Sequence, residues 1–208
     1  MLAILGMGAS LLPDLDHARS TATQALGDPV HRGVRWIARR VREESCHPCD
    51  RDYVEWRCGK QKGWDPDHRG FTHTVIAGAA FALLAGLLSE LGVVFNSILV
   101  GLCAGLALRA FTRGVGVIVG VILSCSVVFV LPVTPTWASI AVFVGWMSHL
   151  LADGFTKDGV PLAWPLTWRG RRWRNYRLMG RVLESGSRAE WWVAGALVSL
   201  LSIPVFIA

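Results

Sequence analysis

The sequence predicts an all-α protein, a polytopic transmembrane helical bundle with about five spans plus an N-terminal half-span. Hydrophobic residues make up 52% of the 208-residue chain and charged residues only 17%, whereas soluble domains carry about 25% charged residues. The apolar residues also lie in blocks of roughly the 17–25 residues that a helix needs to cross a bilayer. This composition excludes a disordered chain, a small disulfide scaffold and an ordinary soluble enzyme.

Five apolar blocks are candidate spans, and a shorter block precedes them. The five are Val75–Leu91, Phe95–Phe111, Val115–Val133, Trp137–Leu151 and Trp191–Ile207. The shorter block, Met1–Pro13, has about 13 residues, too few to cross a bilayer alone. It also lacks the basic start of a signal peptide. We interpret it as a buried or re-entrant half-helix, or as a span that has lost its beginning.

All 21 Lys and Arg residues lie on one side of the membrane in this topology. They occupy segments 14–74, 109–114 and 152–190, whereas segments 92–94 and 134–136 on the other side contain none. The positive-inside rule makes the charged side cytoplasmic. The net charge of +6 therefore reflects topology and attraction to anionic lipid headgroups. The expected partner is the lipid bilayer, and no nucleic-acid partner is expected.

A polar, Arg-rich insertion at about 18–67 lies on this cytoplasmic side. We predict a helix around Val34–Glu44 and no separate core, so residues 1–208 form a single membrane-embedded domain. Three cysteines near the insertion's centre resemble half of a zinc knuckle, with His47 as a fourth ligand; they are Cys46, Cys49 and Cys58. A structural zinc site normally has two pairs of ligands. Reduced cytoplasmic thiols without metal are the alternative interpretation.

Three short motifs combine metal-ligating residue types at the cytoplasmic ends of apolar segments. They are Leu11–His17 (LLPDLDH), His68–His73 (HRGFTH) and His149–Asp153 (HLLAD). His149 and Asp153 are four residues apart and share one face of a helix. Asp14 and Asp16 place two carboxylates on one side of a turn, where at about 5 Å they repel by roughly 3 kcal/mol. A divalent cation relieves that repulsion, and imidazole with carboxylate suits zinc, manganese, iron or nickel.

Each candidate ligand also has an ordinary structural interpretation. Asp14 can cap a turn, and His17 can be an exposed polar residue. His68 and His73 can be interfacial histidines that flank a span. His149 is harder to explain in this way, because a polar side chain at the end of a span usually has a partner.

The three motifs, in this order, resemble the signature of the YdjM-type inner-membrane metal-dependent hydrolases: PDxDH, HRxxTH, and HxxxD followed by a Gly-Leu-Pro stretch. The resemblance covers the chain from Leu11 to about Trp173. It implies a multi-pass inner-membrane protein with a cytoplasm-facing metal site. It also implies distant kinship with zinc-dependent phospholipase C and P1-type nucleases, and hence hydrolysis of a phosphoester, a membrane lipid among the candidates.

Members of that family usually begin with a longer apolar helix that carries a Thr-His pair. This sequence starts within what would be the end of that helix, so either a ligand histidine is absent or the true start lies upstream.

Carried over position by position, the resemblance implies a set of metal ligands: Asp14, Asp16, His73, His149 and Asp153, with His17 and His68 as further ligands or their support. We expect one or two divalent ions, zinc or alternatively manganese; two adjacent ions would clamp both oxygens of a phosphoester. His68 or Asp158 would orient water or transfer protons. The alternative is a non-catalytic membrane protein whose metal cluster serves structure or binds a cytoplasmic protein, of unknown identity.

The stretch Trp164–Arg181 interleaves tryptophan with arginine. One interpretation is a segment at headgroup depth, with Trp rings at the interface and Arg on lipid phosphates. The other is that some of its arginines hold a substrate phosphate by bidentate contacts. The candidates are Arg169, Arg171, Arg172 and Arg174.

Overall fold

The computed structural model describes residues 2–46, 50, 68–111, 122, 133–156, 158–169 and 171–178. These ranges contain six α-helices: α1 Leu2–Ala9, α2 Thr21–Leu26, α3 Asp28–Ser45, α4 Val75–Glu90, α5 Val93–Phe111 and α6 Pro135–Gly154. Two 3-10 turns, Pro13–Asp16 and Phe71–His73, follow α1 and precede α4. Within these ranges there is no strand, only two isolated bridges. The expectation of a helical protein is confirmed for this part of the chain.

Three of the predicted spans correspond to helices, but the predicted total of about five spans is not confirmed. Val93–Ala110 within α5, with a mean hydropathy of 1.9, is the one helical segment in the described ranges that is long and apolar enough to cross a membrane. α4 is apolar but has 16 residues. α6 has 20 residues, and the polar His149 and Asp153 near its end lower its hydropathy. Most of Val115–Val133 and all of Trp191–Ile207 lie outside the described residues.

α1 is enclosed between α5 and α6, and its backbone touches both. A Cβ at Gly8 would clash with the backbone of Cys103 in α5, and a Cβ at Gly145 in α6 would clash with the backbone of Gly6. Such close approach is typical of helix contacts in membranes, where small residues let backbones meet. Leu5 is fully buried in the apolar core that these three helices share. The short N-terminal apolar block is thus a buried helix.

α4 and α6 run antiparallel, so the start of α4 lies beside the end of α6. Trp146 of α6 is fully buried and stacks on Phe81 of α4, with ring centroids 4.6 Å apart. Its indole Nε1 donates to the Thr72 carbonyl at 3.0 Å. At the opposite end, Asn96 Nδ2 donates to the carbonyl of Val133. The turn before α4 is therefore tied to the C-terminal half of α6.

The first part of the polar insertion packs on the bundle. α3 begins at Asp28, earlier than the predicted Val34, and α2 was not predicted. Ser20 caps α2 by accepting from the Thr23 amide at 3.1 Å. Ala22 joins the buried Leu15 and Leu106 in one apolar cluster. In the described part of the insertion, Ala22 packs into the core of the bundle, whereas Trp36 and Ile37 of α3 are exposed.

The segment after α6 folds back toward the turn before α4. Its Trp173 stacks on Trp164, with centroids 5.2 Å apart, and Trp164 contacts Phe71 edge-on at 5.6 Å. Buried Asp50 accepts hydrogen bonds from the amides of Arg172 and Trp173, each 3.2 Å long. The polar insertion and the segment after α6 are thereby joined. This aromatic stack covers the side of the turn that carries Phe71.

Candidate metal centre

The three polar motifs meet at one end of the bundle. α1 runs directly into the turn Pro13–Asp16, and the turn Phe71–His73 immediately precedes α4. Because α6 is antiparallel to α4, the end of α6 with Asp153 reaches the same place. The backbone therefore delivers residues from three distant parts of the sequence to a common site.

Four side-chain atoms face one another there, and we refer to them as the four-atom cluster: Asp14 Oδ1, His73 Nε2, His149 Nε2 and Asp153 Oδ2. His73 Nε2 lies 3.3 Å from His149 Nε2 and 3.4 Å from Asp153 Oδ2. Asp14 Oδ1 lies 3.6 Å from each Nε2 atom, and Asp153 Oδ2 lies 3.7 Å from His149 Nε2. Tetrahedral zinc with bonds of about 2.0–2.1 Å requires ligand separations of about 3.3–3.4 Å. The five separations are close to these values, and Asp14, His73 and His149 form a group whose ligand atoms could hold a metal ion.

Asp153 Oδ2 is the atom of the cluster whose surroundings most clearly suit a bound metal ion. The atom is buried and makes no hydrogen bond to any residue that the structure describes. A buried carboxylate oxygen without a hydrogen bond is costly unless a charged neighbour compensates it, as a proton on His73, 3.4 Å away, does in the metal-free protein. It points at the two imidazole Nε2 atoms, as a ligand of a shared ion would. The donor set of two imidazoles and two carboxylates fits a divalent transition metal.

The tautomer of His73 follows from its neighbours. Thr72 Oγ1 donates its one hydrogen to Asp16 Oδ2 at 2.6 Å. It must therefore accept from His73 Nδ1–H, which lies 3.0 Å away. A neutral His73 then carries its lone pair on Nε2, the atom that faces the cluster. Metal-binding histidines are commonly oriented in this way, with the second ring nitrogen donating to a fixed acceptor.

Asp16 lies behind His73. Its Oδ1 accepts from His68 Nδ1 at 3.0 Å, and its Oδ2 lies 3.5 Å from His73 Nδ1, the side of the ring away from the cluster. Burial would raise its pKa, but the adjacent His73 and His68 outweigh burial and lower it well below the usual value. Asp14, Asp16 and His68 also bring ligand atoms within 4.8 Å of one another. Asp14 is therefore shared between two candidate groups.

Buried charges in the cluster compensate one another. Burial alone would raise the pKa of Asp14, yet His149 and His73 hold it well below its usual value. The pKa of Asp153 is likewise lowered against burial, by His73, His149 and Arg69. Burial would lower the pKa of His73, but the surrounding carboxylates, Asp16 first, raise it well above its usual value. Without an ion, a proton on His73 therefore neutralises part of the carboxylate charge.

The other predicted site residues lie outside the four-atom cluster. The ring of His17 packs against that of His68, with centroids 4.7 Å apart. His68 in turn contacts His73 edge-on at 5.6 Å. Asp158 lies just beyond α6, where its backbone carbonyl accepts from Asn175 Nδ2 at 3.0 Å. Of the cysteine group, Cys46 alone is among the described residues, and Cys49, Cys58 and His47 are not.

Sequence reasoning missed the polar residues that support these ligands. Thr72 holds Asp16 and His73, and Arg69 donates from Nη2 to Asp153 Oδ1 at 2.7 Å. Both residues belong to the HRGFTH motif. The signal available was a threonine and an arginine inside a motif already chosen for its histidines. Thr156, which accepts from Arg69 Nη1, had no such signal.

Fold and site together define a helical protein with an apolar bundle and a buried His/Asp cluster at one end. The profile of the family described as YdjM inner membrane protein matches residues 1–207. The chain belongs to this family of inner membrane proteins, which supports localisation in the inner membrane.

Two curated relatives carry the name "Inner membrane protein YdjM", one from Escherichia coli (strain K12) and one from Shigella flexneri. Each is 27% identical to this chain over 192 residues, covering 90% of the chain. The chain spans 58% of the length of either relative. No solved structure matches.

Proposed function

We propose that this protein is a membrane-bound, metal-dependent hydrolase that cleaves a phosphoester at the cytoplasmic face of the inner membrane. The four-atom cluster is the observation that carries the proposal, because its separations of 3.3–3.7 Å suit one divalent ion. Hydrolysis also requires a ligand position open to water, so His73, His149 and Asp153 would hold the ion throughout, and Asp14, whose side chain is the most exposed of the four, would yield to water. The resemblance to zinc-dependent phospholipase C and P1-type nucleases is part of the same proposal. The activity and the substrates of the whole protein are likewise proposed here.

The metal ligands in this proposal are Asp14, His73, His149 and Asp153, and the ion is zinc, with manganese as the alternative. When bound, the ion supplies Lewis acidity and lowers the pKa of a water that attacks the phosphoester. The charges of the site favour one resident ion. The carboxylates of Asp14, Asp16 and Asp153 and the guanidinium of Arg69 sum to −2, which one divalent ion neutralises. A second ion at Asp14, Asp16 and His68 would require an anionic substrate to balance it.

The residues divide into holding and exchanging roles. His73 and Asp153 are buried and hold the ion on its protein-facing side. The side chain of Asp14 is 33% exposed and marks the side of the site that is open to solvent. His68, whose side chain is 27% exposed, donates from Nδ1 to Asp16 and keeps Nε2 for proton exchange. Asp158 stays the second candidate for orienting water. His17 stacks on His68 and supports it.

The proposal includes a multi-pass topology with the site facing the cytoplasm. One-sided placement of all 21 Lys and Arg residues supports it. Among the described helices, α4 runs away from the site end, whereas α5 and α6 both run toward it, which supports a position near the site end for Arg109 and for the segment after α6. A membrane lipid phosphoester suits this position, and exposed Arg169 and Arg171 are candidates to hold its phosphate.

Turnover of a generic phosphodiester, bis(4-nitrophenyl) phosphate, by the purified full chain tests the proposal. We expect activity with added Zn²⁺ or Mn²⁺, its loss on chelation, and its loss in Asp153→Asn. Asp28→Asn is the matched control, because Asp28 pairs with Arg32 on the exposed surface at 3.1 Å. A topology reporter after His17 should show a cytoplasmic location, and one at Thr134 the opposite side.

The alternative is a metal cluster that serves structure or partner binding. In that case chelation would lower the melting temperature strongly in detergent, because metal binding is then linked to folding. No phosphodiester would be hydrolysed by this chain or by an N-terminally extended form of it. That combination would overturn the hydrolase proposal and leave the metal site standing.

A further inference from the structure

Arg69 makes a two-pronged contact with the end of α6. Its Nη2 donates to Asp153 Oδ1 at 2.7 Å, and its Nη1 donates to Thr156 Oγ1. Thr156 is fully buried and donates from the same hydroxyl to the Asp153 carbonyl at 2.7 Å. The guanidinium therefore binds the side chain of Asp153 and also Thr156, which is itself hydrogen-bonded to the Asp153 backbone.

The contact leaves the two oxygens of Asp153 with different surroundings. Oδ1 is occupied by Arg69, whereas buried Oδ2 has no hydrogen bond among the described residues and faces the Nε2 atoms of His73 and His149. A carboxylate free to rotate about its terminal bond would exchange these two positions. Arg69 fixes which oxygen faces the cluster.

The backbone of Arg69 supports a specific rather than an incidental contact. Arg69 has φ of +57°, in the left-handed region that non-glycine residues seldom occupy. Such conformations persist where surrounding interactions hold them, and they concentrate at functional sites. Here the strained residue lies between His68 and Gly70, at the start of the turn that delivers His73.

We propose that Arg69 is a positioning residue that holds Asp153 Oδ1, so that Oδ2 is presented as a monodentate ligand to the metal ion. The inference rests on the proposed metal site, but it does not require the hydrolase activity. Its effect on metal binding has a sign that a simple charge effect cannot give. A cation beside the site repels a second cation, so as a charge alone Arg69 would weaken metal binding and its removal would strengthen it. As a positioning residue, Arg69 strengthens metal binding, and its removal weakens it.

Arg69→Lys separates these effects because it keeps the charge and removes the planar fork. A lysine ammonium cannot reach two acceptors with the fixed geometry of a guanidinium. We expect Zn²⁺ affinity, measured by competition with a chromogenic chelator, to fall about 10- to 100-fold, as for other groups that orient metal ligands. Arg32→Lys, in an exposed ion pair with Asp28, is the matched control and should leave the affinity unchanged.

Co²⁺ gives a second readout, since the visible absorption of the bound ion reports its coordination. We expect the Co²⁺ spectrum of Arg69→Lys to change in shape and intensity, and that of Arg32→Lys to match the original protein. If Arg69→Lys does not accumulate, Thr156→Val gives the same test, because it removes the acceptor that fixes Nη1. Thr156→Ser keeps that hydroxyl and should restore metal affinity.

The outcomes distinguish this inference from the proposed function. Unchanged or tighter Zn²⁺ binding in both Arg69→Lys and Thr156→Val, with an unaltered Co²⁺ spectrum, would overturn the positioning role alone. A protein that binds neither Zn²⁺ nor Co²⁺ in stoichiometric amount would overturn the metal site and the positioning role together. Weaker binding with no phosphodiester turnover would support the positioning role while contradicting the hydrolase.

Discussion

The two ends of α4 are built in opposite ways. Immediately before the helix, Thr72, His73 and Thr74 are buried polar residues, and each has a hydrogen-bond partner. Toward the other end, Leu83 and Leu87 are large apolar side chains with 66% and 61% of their surface exposed. One end thus buries polar groups and the other exposes apolar ones.

This inversion is what a bilayer would produce. Exposed leucines are stable against lipid, and polar groups withdrawn from both lipid and water must satisfy one another. The exposed leucines depend on their surroundings being apolar, whereas the buried polar residues depend on the identity of each neighbour. The two ends of α4 should therefore respond to different kinds of substitution.

The largest effect is expected from His73→Ala. His73 faces Asp14, Asp16 and Asp153, so its removal leaves two buried carboxylates and the partly exposed Asp14 poorly compensated. We expect loss of stoichiometric zinc by elemental analysis and destabilisation by about 3–5 kcal/mol, the usual cost of breaking a buried charged pair. Leu87→Ala at the other end of α4 should retain full zinc content. Equal metal loss in the two variants would remove the contrast between the ends.

The next effect concerns the exposed leucines. Leu83→Arg should impair membrane insertion if this surface faces lipid, because an arginine deep in a span costs about 2.5–3.5 kcal/mol on insertion scales. Glu43→Arg on the exposed side of α3 is the control and should insert normally. The measurement is the membrane-integrated fraction after carbonate extraction. Normal insertion of Leu83→Arg would show that this face of α4 is not in contact with lipid.

The polar end should also give the metal-free protein an unusual pH dependence. Since the folded state raises the pKa of His73, His73 stabilises metal-free protein fully below the unfolded value of about 6.5. That stabilisation declines by up to about 1.4 kcal/mol per pH unit and is lost as pH rises through the folded pKa. The lowered carboxylate pKa values act at the acid end, where stability falls below about pH 4.

Melting temperatures from pH 6 to 9, with chelator and with Zn²⁺, measure this dependence. We expect a decline with pH in chelator and little decline in Zn²⁺, because the ion then replaces the proton on His73. His73→Gln, which does not titrate, should reduce the decline in chelator, and His149, whose Nε2 lies 3.6 Å from Asp14 Oδ1, should account for the part that remains. A decline of equal size in Zn²⁺ would show that the ion does not bind His73.

The smallest effect compares two helix caps. Thr74 is fully buried and accepts from the Ala77 amide at 3.1 Å, whereas exposed Thr134 accepts from the Trp137 amide at 3.5 Å. We expect Thr74→Ala to cost about 1 kcal/mol, typical of a lost N-cap, and Thr134→Ala to cost only a few tenths. Reversible unfolding in mixed detergent micelles gives both values. A larger loss for Thr134→Ala would contradict the contrast in burial.

Three long helices of the described residues could be predicted because long apolar blocks signal helices without knowledge of their neighbours. α4, α5 and α6 lie where such blocks occur, with boundaries within a few residues. α2 was missed because Thr21–Leu26 is short and owes its stability to the Ser20 cap and to packing on Leu15. The number of spans could not be fixed, since α4 and α6 depart from the length or hydropathy that marks a span unambiguously.

The site could be predicted as a set of motifs but not as a set of roles. Residue type and position at the ends of apolar blocks were enough to select Asp14, His149 and Asp153. Asp16 was grouped with them as a ligand; its oxygens contact Thr72 and His68 on the far side of His73, and with Asp14 and His68 it forms a second candidate group. Which side of an imidazole a carboxylate occupies depends on three-dimensional placement, and spacing along the chain carries no such information.

The backbone contacts of α1 have a consequence for the pattern of mutational tolerance. Gly8 and Gly145 lie where a single added methyl group would strike a neighbouring backbone. Large apolar residues nearby, such as Leu5, have replacements of similar volume, and these glycines have none. In a comprehensive substitution library, the positions of the bundle that tolerate the fewest substitutions should therefore be these glycines. Any shift of α1 is passed directly to Asp14, so tolerance and metal loading should fall together at these positions.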